Sequence, residues 1–162
     1  MKVLLFIGDH SQDTWSVRLG WWLTRLVQKG DYWRVTHVEA ILAEHSDGTV
    51  DIASASLREG GVRVKEKVKL NPKHWIVIEA GYSTDTAYHW FQEHLGQKYD
   101  LLGAFASAFP IQWTQSKRWF CNQAVGASFG LKSPEAFGPS QFSAMLLTIG
   151  NDVTDSFFKG RQ

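Results

Sequence analysis

The chain has 162 residues, 44% of them hydrophobic and 20% charged, and a formal net charge of +1 from 17 basic and 16 acidic side chains. This length predicts one domain, residues 1–162, able to bury a core without staples. The charge balance excludes a nucleic-acid binder of the basic-patch kind, and the single cysteine, Cys121, excludes an intramolecular disulfide and predicts a reduced, cytoplasmic setting.

Val3 to Ile7 is apolar but too short for a signal-peptide core or a membrane span, and it predicts a strand ending at Gly8. Trp15, Leu19, Trp22, Leu23 and Leu26 then recur at helical spacing, with Ser11 or Asp13 as cap and Lys29-Gly30 as stop. Val35 to Ala43 is short and rich in β-branched residues, hence a strand. Its period of two puts His37, Glu39, Ile41 and Ala43 on one face and Thr36, Val38, Ala40 and Leu42 on the other.

Asp47-Gly48 is a hairpin signal, so Thr49 to Ser56 is the return strand. Gly60-Gly61 marks the next turn, followed by strands at Val62 to Leu70 and His74 to Glu79. The basic stretch Arg63 to Lys69 alternates with Val62, Val64 and Val68, as a strand with one solvated face does. Together these predict an antiparallel meander of about four strands.

Helical patterns begin at Thr84. Ala87, Phe91 and Leu95 form a stripe with Trp90 beside it, and Gly96 ends the helix. A second helix is expected over Asp100 to Phe109, before Pro110; the wider apolar run, Leu101 to Trp113, is again too short to span a membrane. Thr114 to Arg118 reads as a polar loop and Cys121 to about Phe129 as a helix, with later helix starts at Ser133-Pro134-Glu135 and Ser140. The fold class is therefore α+β, a meander with helices on either side in sequence.

Chemistry centres on Cys121. A cysteine nucleophile needs a setting that favours the thiolate, a base within reach and a third group to orient that base. The start of a helix supplies the first, because its unpaired N–H groups and dipole favour an anion; the same groups suit an oxyanion. His37 is the best base, and Glu39 lies two positions along the same strand, about 6.6 Å away, within reach of the imidazole. Asp51, Ser54 and Ser56 on the return strand are alternatives for the third role.

The plainer readings are an inert buried cysteine, a core or edge histidine and a solvated glutamate. A metal site is the weaker alternative, since His89 and His94 flank Glu93 at a spacing that does not share a helix face, and His10, His45 and His74 are scattered. No phosphate-binding glycine loop and no G-x-S-x-G elbow is present, so neither a cofactor nor a metal is expected.

Four segments carry a family resemblance: Thr36-His37-Val38-Glu39, Ser54 to Val62, Leu95 to Gly103 with its Tyr99-Asp100-x-x-Gly103, and Trp119 to Val125 around Cys121. In this order they resemble the circularly permuted branch of the NlpC-type papain-like superfamily, which includes YiiX-like and, more distantly, lecithin retinol acyltransferase-like proteins. Small proteins of this look also occur in phage and prophage genomes. The unpermuted family has its cysteine before its histidine, whereas Cys121 follows His37 by 84 positions, as permutation implies.

The resemblance implies a papain-like fold, with Cys121 as nucleophile, His37 as base and Glu39 at a polar position beside it. In the acyltransferase-like relatives the third residue falls about where Asp51 lies. The sequence departs at Asn122-Gln123, where many relatives carry Ser-Glu, a change that bears on specificity. The implied reaction is attack on an amide or ester carbonyl through a thioester, on a small-molecule, peptide or lipid substrate.

A peptide amidase would use Arg58, Arg63 or Arg118 as anchors. A lipid hydrolase or acyltransferase would use Trp119, Phe120 and the Leu101 to Phe109 helix as an apolar channel. The expectation leans to amide hydrolysis; a catalytically inactive phage structural or binding module is the rival from another class.

Overall fold

A computed structural model gives the structure of residues 1–8, 34–107, 117–159 and 161. The helix expected around Trp15 to Leu26, His10, most of the Thr114 to Arg118 loop and the end of the Asp100 to Phe109 helix lie outside these residues.

Short-range turn chemistry sets the first strand pairs. Gly48 adopts φ +81° in the Asp47-Gly48 turn, a conformation costly for any residue with a Cβ. Asp47 Oδ1 accepts from the Thr49 amide at 2.9 Å and closes the turn. The turn joins β2 (His37–Glu44) to β3 (Val50–Ser56), and Gly60-Gly61 joins β3 to β4 (Gly61–Val68). At Gly61 a Cβ would stand 2.0 Å from the Gln97 carbonyl oxygen, so only glycine lets β4 meet the chain there.

The meander runs through β2, β3 and β4 but does not continue into the next strand. β1 (Lys2–Phe6) inserts between β2 and β5 (Trp75–Glu79), antiparallel to both. The full order is β7-β6-β4-β3-β2-β1-β5-β8, where β6 is Lys98–Tyr99, β7 Arg118–Trp119 and β8 Asn151–Asp152. Among the described residues only β6 and β7 pair in parallel. The expected four-strand meander is corrected on this point, and burial supplies the reason. Val3, Leu4 and Leu5 are all 0% exposed, so β1 is covered on both faces and takes a central place. The link from β4 to β5, with a 3-10 turn at Pro72–His74, carries the chain past it.

The two sheet faces pack differently. Val3, Leu5, Val38, Ala40, Ala53, Ala55 and Ile78 pack with Phe91 of α1 (Thr84–His94), Ala124 and Val125 of α3 (Cys121–Ser128), and Phe142 and Leu146 of α4 (Pro139–Ile149). Leu4, Ile41, Val50, Ile52 and Val77 pack with Phe157 and Phe158 of α5 (Thr154–Lys159). Burying each of these aromatic side chains stabilises the fold by about 1.5–3 kcal/mol. The architecture is thus α+β, an almost entirely antiparallel sheet with helices on both faces. Among the described residues no helix is long and apolar enough to cross a membrane.

Several local expectations need adjustment. The period of two along β2 stops at a bulge between Ile41 and Ala43, so His37, Glu39 and Ile41 share a face while Ala43 lies beyond the irregularity. Leu95 is 46% exposed and leaves its stripe, because α1 ends at His94 and the chain turns at Gly96 with φ +75°. The second helix, α2, covers Leu101–Ala106, with Asp100 Oδ1 accepting from the Gly103 amide at 2.8 Å as its cap. Ser133-Pro134-Glu135 opens only a 3-10 turn, Pro134–Ala136, and Ser140 sits inside α4 rather than capping it. β8 and α5 carry no clear sequence signal.

Candidate active site

Strand register brings the two ends of the chain's chemistry together. Ser56 pairs with Gly61, Gly61 with Lys98 and Lys98 with Arg118. Continuing the β2–β3 register from Ala40 and Ala53 places His37 opposite Ser56. One row therefore runs from the first residue of β2 to β7, and Trp119-Phe120-Cys121 follows directly. Phe120 takes an extended conformation (φ −109°, ψ 167°) and ends the strand-like segment, and Cys121 begins α3, which packs on β2 and β3.

Cys121 is 2% exposed and hydrogen-bonds the His37 imidazole. His37 Nε2 lies 3.1 Å from Glu39 Oε1. Burial would lower the imidazole pKa, but the hydrogen bonds and charges of Cys121 and Glu39 outweigh it and raise His37 from 6.5 to about 9. Burial likewise works against the Glu39 carboxylate, and the hydrogen bond from His37 and the charge of Arg63 overcome it, holding Glu39 at about 2. Both groups are thus charged at neutral pH, and the ring is held between sulfur and carboxylate.

Of the other candidates for the third role, Asp51 is set apart. It pairs with Ala43 at the far end of β2, faces His45 Nε2 at 2.7 Å and accepts from the Lys67 amide at 2.9 Å. That second contact holds Lys67 at φ +51°, inside the β3–β4 register shift, so Asp51 has a structural task. Ser54 donates to the Val38 carbonyl at 2.6 Å and is fully buried. Ser56 lines a basin with His37 and Glu39 but is not what holds the ring.

The basin lies on the sheet face away from α3 and encloses about 200 Å³ between Phe6, Trp75, Ile52 and the charged groups Arg58, Glu59, Arg63 and Lys65. Behind Cys121 stands Tyr99, whose phenol is pushed well above its ordinary 10 by burial and by the nearby Cys121 and Asp100 charges. Its phenol therefore stays protonated at physiological pH. Asn122 and Gln123 are both buried and bonded into the fold. Asn122 Nδ2 donates to the Phe137 carbonyl, and Gln123 Oε1 accepts from the Phe120 amide at 3.4 Å.

The candidate metal ligands are dispersed. His94 Nδ1 contacts the Trp90 carbonyl at 2.7 Å and its ring stacks on Trp90, His45 is paired with Asp51, and His74 closes the 3-10 turn. Among the described residues no group of three or more His, Cys, Asp or Glu side chains is arranged to hold a metal ion. Sequence reading missed the link between Arg63 and Glu39 and the place of Tyr99. Counting register from the turns would not have found the first: the bulge between Ile41 and Ala43 shifts the pairing by one residue, and only beyond it is Ser54, the partner of Arg63, opposite Glu39.

Comparison with known proteins returns no match: no family model fits the sequence, and neither a curated protein nor a solved structure is significantly similar to it.

Proposed function

We propose that this protein is a cysteine hydrolase of the permuted NlpC-type, papain-like class, cleaving an amide bond with Cys121 as nucleophile, His37 as base and Glu39 as the group that orients His37. The observation that carries this reading is the His37 ring held at once by Cys121 and by a charged, buried Glu39. An imidazole protonated up to about pH 9 is, at neutral pH, the cationic partner that a thiolate requires.

The sulfur attacks the carbonyl carbon, forming a C–S bond while the carbonyl electron pair moves to oxygen. Backbone N–H groups at the start of α3, which have no acceptor within the helix, suit that oxyanion. Collapse breaks the C–N bond, and His37 gives its proton to the leaving nitrogen. Water then attacks the thioester as His37 takes a proton from it, and the C–S bond breaks to release the acid and restore the thiolate.

The preference for an amide follows the family resemblance; the charged basin beside His37 and Glu39 lies on the other sheet face from α3 and is not lined by Cys121. A second reading, lipid or ester acyl hydrolysis, is favoured by Leu101, Leu102 and Phe105, which are 52%, 57% and 45% exposed on α2 just after Tyr99. Phe120 offers nothing to such a channel, being 1% exposed.

Labelling with peptide-amide and acyl-ester probes, followed by mass analysis, tests the reading. A covalent adduct on Cys121 from the amide probe, absent in Cys121→Ala, is expected. Labelling by the ester probe alone favours the second reading, and no adduct from either probe removes the hydrolase reading in favour of a binding module.

A further inference from the structure

Three strands place Glu39, Ser54 and Arg63 in one cross-strand row. Ser54 pairs with Arg63 on β4, and the β2–β3 register sets Ser54 opposite Glu39. Neighbouring strands are about 4.8 Å apart, so β4 and β2 are separated by about 10 Å in this row. That gap is too wide for short side chains, but a guanidinium and a carboxylate bridge it when the residue between is as small as serine.

Arg63 Nη2 donates to Glu39 Oε1 at 2.7 Å, and Nη1 donates to Oε2 at 3.3 Å, a two-pronged grip on the carboxylate. Oε1 is also the atom facing His37 Nε2 at 3.1 Å. On its other side, Arg63 Nε donates to Glu59 Oε2 at 2.6 Å, and Lys65 pairs with the remaining Glu59 oxygen. The Arg63 and Glu39 side chains are only 13% and 5% exposed. A guanidinium with all three nitrogens engaged in this way is poorly placed to anchor a substrate.

We propose that Arg63 is a positioning residue of this site: braced by Glu59, it fixes both oxygens of Glu39 so that Oε1 stays ionised and aimed at His37. The proposal rests on the cysteine-hydrolase reading above. The groups facing Glu39 comprise His37 on its own strand and, from the elements around it, Arg63 and Lys65 of β4, with Arg58 and Glu59 lining the same basin. β1, β3 and β5 contribute Phe6, Ile52, Ser56 and Trp75, none of which titrates near neutral pH. Cys121 is the other group that the imidazole meets. Arg63 is thus the cation that gives Glu39 direct two-point support from another strand.

The test is the pH profile of Cys121 alkylation by iodoacetamide, from pH 4 to 8, in the wild type, Arg63→Met, Arg63→Lys and Glu59→Gln. A nearby opposite charge moves a carboxyl group by about 1–3 pH units. Arg63→Met should therefore raise the acid midpoint governed by Glu39 by about two pH units, so that its rate, relative to the wild type, falls away as pH approaches about 4.

Arg63→Lys keeps the charge without the fork and should restore the wild-type acid limb at a reduced rate. Glu59→Gln, on the exposed side of Arg63, should show the same change in weaker form. A purely structural role would lower the rate equally at every pH and would gain nothing from lysine; that outcome overturns the proposal, as does an unchanged profile. If Arg63→Met does not fold, Arg63→Lys and Glu59→Gln decide the matter on the same criterion. Wild-type alkylation that is indifferent to His37→Ala would instead overturn the hydrolase reading on which the proposal rests.

Discussion

Replacing Glu39 by Gln keeps the size of the side chain and removes its charge. Glu39 titrates at about 2 in the folded protein against an ordinary 4.5. At 1.36 kcal/mol per pH unit this difference is worth about 3 kcal/mol. The folded-state value is depressed, so this stability is present above pH 4.5 and is lost as pH falls towards 2. Urea unfolding of the wild type and Glu39→Gln, followed by tryptophan fluorescence from pH 2.5 to 7, measures the gap.

Glu59, Asp47 and Asp51 also titrate low, but they do so in both proteins and cancel in the difference. The variant should be about 3 kcal/mol less stable at pH 6, and the gap should close towards the acid end. His37 makes the opposite contribution. Its value is raised from 6.5 to about 9, so its share is full below pH 6.5 and fades as pH rises through 9. The two shares describe one interaction and are not added. A gap that stays constant across the acid range would refute this reasoning, as would no gap at pH 6.

Asp51→Ala should leave Cys121 alkylation unchanged and cost about 1–3 kcal/mol in urea unfolding, because it strips the acceptor from the Lys67 amide and from His45. Slowed alkylation in that variant would reinstate Asp51 as a member of the site. Gly61→Ala drives a methyl group into the Gln97 carbonyl and should cost at least about 1–3 kcal/mol while loosening the β4–β6 pairing. Amide exchange at Val62 and Tyr99, which bond Gln97 and Gly60 across that contact, would report the loosening; unchanged protection would refute it.

The parts legible in the sequence are those set by neighbours a few residues apart. Asp47-Gly48 and Gly60-Gly61 announce their turns, the helical pattern from Thr84 and the stop at Gly96 bound α1, and the period of two puts His37 and Glu39 on one face. The parts that escape depend on contacts across the chain. β1 becomes central only because three consecutive apolar side chains are covered on both faces, and the short run Val3 to Ile7 does not say by what. The bulge beyond Ile41 is written in no motif.

The two-residue strand Lys98–Tyr99 meets β4 as closely as it does because Gly61 admits it. Arg63 reads from sequence as one of several basic residues on a solvated face. Only the row through Ser54 turns it towards Glu39, and the same alternation that suggested exposure buries it. Asn122-Gln123 reads as a departure from a family pattern; in the fold both side chains bond the backbone around α3, and Asn122 Oδ1 also accepts from Cys121 Sγ at 3.7 Å.

Activation of Cys121 by His37 is tested most directly by the rate of iodoacetamide alkylation between pH 5 and 9. The wild-type sulfur should react at pH 6 far faster than an ordinary thiol, whose pKa is about 8.5, and His37→Ala should remove that advantage while leaving the rate above pH 9 comparable. A Cys121 that reacts only as an ordinary thiol does, with or without His37, would contradict the assignment.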